Sequence, residues 1–327
     1  MQQEATRAGA LVVAASAERG TYGEFVASLA TELGQLEPLW AQEMAKLRVS
    51  LTAGPIKIER GGGAAAALDE LLDRVVARAR GRQVVLFVDE VTILARNLER
   101  RERGEGENFL HVLRRFRQKH GTAVATVLSG SIGFHHVSRD APSTVNDIRK
   151  IAVLPIRSDH AAYLAECLLL GGGVPAEGRT ALAEAIATGA ENIPYYIQHL
   201  VDAVLRIRRA GRPFPQPEDI PQLVDDAIRN PSDPWDLKHY LNRLDEYYGA
   251  ESKAIGKLLD IYAHADTALG IDETLMKLQS EGSPITDRDQ LVAFVERLEL
   301  DHYLVRTGDL DRFASPLVQQ AWRMMRR

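Results

Sequence analysis

Two adjacent carboxylates, Asp89 and Glu90, close the run Gln-Val-Val-Leu-Phe-Val-Asp-Glu at residues 83–90. Acids side by side at the end of a short apolar run can divide metal-assisted hydrolysis between them. The first holds Mg²⁺, usually through water, and the second orients or deprotonates the attacking water. The pair also reads as helix-start chemistry, with Asp89 capping a following helix and Glu90 in its favourable first turn. Ser129-Gly130-Ser131, at the end of a second β-branched run, offers hydroxyls that a neighbouring strand could aim at a phosphate or at the attacking water. Taken by itself the motif reads first as an ordinary Ser-Gly turn.

Other chemistry-bearing residues carry weaker signals. Gly61-Gly62-Gly63 is not followed by Lys-Ser or Lys-Thr and follows no β run, so it reads as a lead-in to a helix. Gly256-Lys257 continues into Leu258 within a helical pattern. No Gly-x-x-x-x-Gly-Lys-Ser/Thr loop, the phosphate cradle of Walker A type, occurs in the sequence. His135-His136 has no further ligands at metal spacing. Arg114, Arg115, Arg117 and Lys119 form a basic cluster that reads as surface solvation, or as a charge partner for phosphate or a neighbouring subunit. The single cysteine, Cys167, sits in the apolar run 163–170 and is expected to be a buried core thiol; a disulfide framework is excluded and a reducing, cytoplasmic setting is expected.

The elements that must position these residues follow from the pattern. Five apolar residues at 84–88 are too few for a lone helix and fit a strand buried on both faces of a parallel sheet. Strands are expected at 10–15, 122–128 and 151–154, the last closed by Pro155. Helical spacing of Phe25, Val26, Leu29 and Leu33, and of Leu68, Leu71, Leu72, Val75 and Val76, predicts helices before the acid-tipped strand; others follow at Val91 and over 108–119.

With 45% hydrophobic and 26% charged residues and a net charge of -5, the 327-residue chain has no global attraction for nucleic acid or anionic lipid. No stretch approaches the roughly 18 apolar residues that span a bilayer. Leu11-Val12-Val13 before Ala15-Ser16-Ala17 faintly suggests a secretory segment, but Glu4 against Arg7 leaves no positive excess ahead of it.

The ordered set of acid-tipped strand, helix, strand ending in Ser129-Gly130-Ser131-Ile132-Gly133, and strand into Leu154-Pro155-Ile156 resembles the P-loop ATPases of the AAA-like STAND group, in particular the archaeal-type prokaryotic ATPases. The resemblance implies an α/β fold: a parallel-sheet P-loop NTPase core over 1–155, an α-helical lid over 156–230 and a winged-helix-like domain over 236–327. It implies ATP and Mg²⁺ as cofactors, Asp89 as metal ligand, Glu90 as catalytic base, and Ser129 or Ser131 as the sensor. Glu191-Asn192-Ile193-Pro194-Tyr195-Tyr196 resembles the family's Gly-Asn-x-Pro-type turn, which places Asn192 and Pro194 at the nucleotide; locally Asn192 as a cap and Pro194 at a helix start explain the same residues.

One departure is large: the family's strand, Walker A loop and first helix have no counterpart ahead of residues 10–15. In AAA-like sheets that strand lies between those expected at 122–128 and 151–154. Strands sit about 4.8 Å apart, so its loss opens a gap of about 10 Å that backbone hydrogen bonds cannot cross. The expectation is therefore either a fragment of a longer protein or a sheet closed by direct pairing of those two strands.

Prolines at 212–217 and 230–234 mark a boundary. Beyond it, helices over 252–265, 271–279 and 287–298, a hairpin through Thr307-Gly308-Asp309, and a helix over 316–325 resemble a winged helix. From Asp236 to Arg327 there are 16 acids against 12 Lys and Arg, a net of -4, the wrong sign for a phosphate-driven footprint. An ATP-hydrolysing switch protein, a non-catalytic descendant acting as an interaction module, and a winged-helix DNA-binding regulator are the three functions that stand. A nucleotide and a protein partner, self-association included, are the partners expected; nucleic acid is disfavoured by charge.

Overall fold

The computed structural model describes residues 1–17, 21–36, 62–137 and 144–326, and the chain divides into two compact units, Met1–Arg149 and Lys150–Arg327. In the first, three parallel strands in the order β1 (Leu11–Ser16), β2 (Val84–Asp89), β3 (Val124–Leu128) pair in register, Ser16 opposite Asp89 and Val88 opposite Leu128. The acid-tipped strand is therefore central. Leu11, Val13, Ala15, Val84, Leu86, Val88 and Val124 face one way into the core. Helices α2 (Tyr22–Leu36), α3 (Gly62–Arg78), α4 (Val91–Arg101) and α5 (Glu105–His120) supply the other side of it through residues such as Phe25, Leu29, Leu68, Leu72, Leu94, Phe109 and Leu113. Residues of the alternate phase, Val12, Ala14, Phe87, Ala125 and Val127, stay half-buried. A short helix missed by pattern reading, α1 (Gln2–Arg7), packs against β1.

Two expectations are corrected here. Residues 151–154 form no strand and pair with nothing regular: Ile151, Val153 and Leu154 are 72%, 95% and 75% exposed. Among the described residues the strand at 122–128, β3, is paired with β2 alone. A β-branched run makes a strand only when an edge within hydrogen-bonding distance accepts it.

The second unit opens with α6 (Ser158–Gly171), α7 (Arg179–Gly189), α8 (Pro194–Arg209) and α9 (Ile220–Arg229). Cys167 is exposed, contrary to expectation. The inward stripe of α6 is Ala161, Ala165 and Leu169, at spacing four, which turns Cys167 outward beside Tyr163. After α10 (His239–Tyr248) and α11 (Ser252–His264), β4 (Leu269–Gly270), α12 (Ile271–Ser280), α13 (Arg288–Leu300), β5 (Leu304–Thr307), β6 (Leu310–Phe313) and α14 (Pro316–Met325) complete the chain. The three short strands form an antiparallel sheet in the order β4-β6-β5. Asp287 and Ser315 cap α13 and α14 by accepting from Gln290 N–H (2.8 Å) and Val318 N–H (3.0 Å). Helix α14 serves two cores, giving Leu317 and Ala321 to the helices of 158–229 and Val318 and Trp322 to the 240–313 segment. Among the described residues no helix is long and apolar enough to cross a membrane.

Candidate active site

The carboxyl ends of β2 and β3 lie side by side, and their tips are tied reciprocally. Ser129 N–H donates to Val88 O (2.9 Å), continuing the ladder by one residue, and its hydroxyl donates to Asp89 Oδ1 at 2.6 Å. Ser131 donates both its N–H and its hydroxyl to Glu90 Oε2, each at 2.9 Å. Val91 N–H, an unpaired donor of the first turn of α4, donates back to Ser129 O at 3.0 Å. The two acids expected to act together, and the two serines expected to serve them, thus form one constellation.

Asp89 does not cap α4. The residue before Val91 is Glu90, held in the left-handed region at φ 55° with no side-chain cap bond. That conformation is uncommon for a residue bearing a Cβ and is found disproportionately where side chains must be aimed. Here it turns Glu90 towards Ser131, while Asp89 Oδ1 accepts from Glu90 N–H at 3.0 Å. Asp89 is exposed and Glu90 partly so. Among the described residues Asp89 Oδ2 accepts no hydrogen bond, which leaves one carboxylate oxygen for a cation. A single carboxylate fits Mg²⁺, which keeps several of its waters and takes one or two protein oxygens together with phosphate oxygens.

A cavity of about 360 Å³ opens beside these tips, lined by Ser16, Phe87, Asp89, Val127 and Ser129 with Ala14, Ala15 and Gln2. Pattern reading missed Ser16 and Gln2. The β1–β2 register, which sets Ser16 opposite Asp89, is the signal that finds the first, whereas Gln2 arrives only through the packing of α1. No lysine or glycine-rich turn lines the cavity, so a phosphate cradle is not among these residues.

The remaining candidates sort differently. Asn192 and Pro194 lie in the second unit. Glu191 and Asn192 both take left-handed backbone (φ 52° and 58°) between α7 and α8, and Pro194 opens α8. Asn192 O accepts from Ile156 N–H at 3.1 Å, and Glu191 Oε1 accepts from Leu317 N–H at 2.6 Å. Three of the four bases clustered on α5 are engaged internally: Arg117 grips Asp147 with two bonds (3.1 and 2.7 Å), Lys119 donates to Asp73, and Arg115 lies 3.7 Å from Asp69. The rings of His135 and His136 pack against each other at a tilt of 42°, with centroids 4.1 Å apart.

Two solved structures share this architecture over nearly the whole chain. The Walker-type ATPase of Pyrococcus abyssi superposes with a TM-score of 0.59 at 14% identity, covering 98% of this chain and 86% of that one. The fold resembles that of P-loop ATPases. The Aeropyrum pernix ORC2 protein, determined as ADPNP–ADP complexes, gives a TM-score of 0.50 at 15% identity over 99% of this chain and 81% of its own. No protein-family model and no curated protein matches the sequence. At these identities the likeness is one of fold, and the chemistry has to be argued from the site.

Proposed function

We propose that the protein is an ATP-binding and ATP-hydrolysing switch of the AAA-like STAND type. The observation that carries this reading is the pairing of each adjacent carboxylate at the tip of the central parallel strand with a serine of the neighbouring strand. In this reading Asp89 would hold Mg²⁺, while the Ser129 hydroxyl fixes the direction of its carboxylate through Oδ1. Glu90 takes the proton of the attacking water, and Ser131 sets the direction of its carboxylate. The bound cation supplies neutralisation of the phosphate oxygens. The α7–α8 turn at Asn192 and Pro194 is the proposed nucleotide-responsive element of a lid over 156–230. The helix-strand-helix-helix-hairpin order over 252–313 is consistent with a winged helix, here serving contacts between proteins in a cytoplasmic setting. The phosphate cradle would come with a further parallel strand beside β3, whose outer edge is unpaired among the described residues.

A second reading is favoured by the absence of a Gly-Lys-Ser/Thr loop from the sequence: the chain keeps the fold as a non-catalytic interaction module. ATP binding and turnover by these 327 residues, and by a form extended at its amino end if the reading frame continues upstream, separate the two. In a hydrolysing form, Glu90→Gln is expected to retain nucleotide while turnover falls about 10²- to 10⁴-fold, the usual worth of general-base assistance. Asp89→Asn is expected to weaken the dependence on Mg²⁺. Equal turnover in wild type and the Glu90 variant would remove the assigned role.

A further inference from the structure

Thr92 is 1% exposed, on the first turn of α4 just behind the two carboxylates, and among the described residues its hydroxyl has no hydrogen-bond partner. A buried hydroxyl without a partner is costly, and an apolar side chain of similar shape would pack as well or better. What the hydroxyl does touch is the backbone of Gly130. A Cβ built on Gly130 would stand 2.2 Å from Thr92 Oγ1, 3.3 Å from Thr92 Cβ and 3.4 Å from Thr92 N. The first of these distances is impossible, so residue 130 can only be glycine while Thr92 keeps its place. The threonine oxygen is smaller than a methyl group, and a β-branched side chain is stiff at χ1. A small, rigid stop therefore meets the one residue of the loop that has no side chain.

Gly130 lies between the two serines that hold the carboxylates, and Ser129 O is itself tied to Val91 N–H next to Thr92. The height of the 129–131 loop over α4 thus fixes both serine hydroxyls at once. We propose that Thr92, acting through Gly130, is the positioning residue that sets Ser129 on Asp89 and Ser131 on Glu90. The assignment deepens the proposed hydrolytic reading and rests on it for the roles of the two acids. Thr92 touches no reacting atom; its effect passes entirely through the loop.

The test uses the full chain, labelled with ¹⁵N-serine, and Mn²⁺ as the probe of the Asp89 site by water-proton relaxation. Gly130→Ala is expected to displace the Ser129 and Ser131 amide resonances and to weaken Mn²⁺ binding about 10- to 100-fold, the usual cost of losing a group that orients a metal ligand. Adding Thr92→Ala removes the 2.2 Å clash, so the double variant is expected to return both signals most of the way to wild type. Thr92→Ala alone, which adds no volume, is expected to broaden the two serine resonances by freeing the loop; it carries the test if Gly130→Ala does not fold. Wild type whose Mn²⁺ binding is absent, or unchanged by Asp89→Asn, would overturn the metal role of Asp89. The serine resonances would then still decide the positioning role. Serine resonances that stay in place in Gly130→Ala and sharp in Thr92→Ala, or a double variant no closer to wild type than Gly130→Ala, would overturn the proposal.

Discussion

At the scale of single residues, the charges around the sheet divide into those held by a partner and those left for solvent or ligand. Arg117 and Asp147 show the first kind. The guanidinium is largely buried and meets the carboxylate through two donors, and its hydrogen bonding and charge hold the Asp147 carboxyl below the usual carboxylate range. Asp73 behaves alike: burial pulls its carboxyl up, but bonds from Lys119 and His120 outweigh that and leave it lowered. A depressed folded value means that the pair stabilises the fold above the unfolded value of about 3.9 and that this contribution is lost as pH falls through the folded value. Asp147→Asn is therefore expected to cost about 1 kcal/mol at pH 7, the upper end for a partly exposed ion pair. The difference from wild type should vanish in strong acid. Amide exchange across α5, followed against pH, measures it; a penalty unchanged in acid would assign the loss to packing instead of charge.

At the scale of elements, α14 carries more than its length suggests. Its ten residues place Trp322 and Val318 in one core and Leu317 and Ala321 in another. Trp322 Nε1–H donates to Asp260 Oδ1 at 2.8 Å, and Arg326 grips the same carboxylate with bonds of 3.0 and 2.6 Å. At the other end Glu191 accepts from Leu317 N–H, filling an orphan donor of the first turn from the distant α7–α8 turn. Removing the indole leaves a cavity and takes one of two donors from Asp260 Oδ1, which Arg326 still holds. Trp322→Ala is expected to destabilise the second unit by about 3–5 kcal/mol in urea unfolding, as for other buried aromatic truncations. A loss under about 1 kcal/mol would mean that the surrounding helices collapse to fill the space.

At the scale of the whole molecule, net charge bears on partners. The segment from Asp236 onward is net -4 by sequence. The exposed residues of α13, Arg288, Asp289, Gln290, Ala293, Glu296 and Leu300, include two acids and one base, and the helix's two arginines are both engaged, Arg288 by Asp272 and Arg297 by Glu251. Phosphate contacts dominate affinity for duplex DNA and require released counterions. The full chain is therefore expected to pass through immobilised duplex DNA at low salt without retention. Retention that falls steeply as salt rises would restore the DNA-binding reading.

Much of the first unit was legible in the sequence because its determinants are local. Apolar runs of strand length, 3.6-residue stripes and an acid pair at a strand end require nothing distant, and Asp89, Glu90, Ser129 and Ser131 all meet as their chain order implied. The hairpin at residues 304–313 was legible for the same reason, through the Thr307-Gly308-Asp309 turn. Three decisions belonged to tertiary structure. Residues 151–154 have the composition of a strand but pair with no strand among the described residues. Cys167 lies in an apolar run, yet its side of α6 follows from which stripe meets the neighbouring helices. The clash that makes Gly130 obligatory, and with it the placement of both serines, exists only once α4 packs against the 129–131 loop, because sequence spells out periodicity along the chain while contact across it depends on which surfaces are brought together.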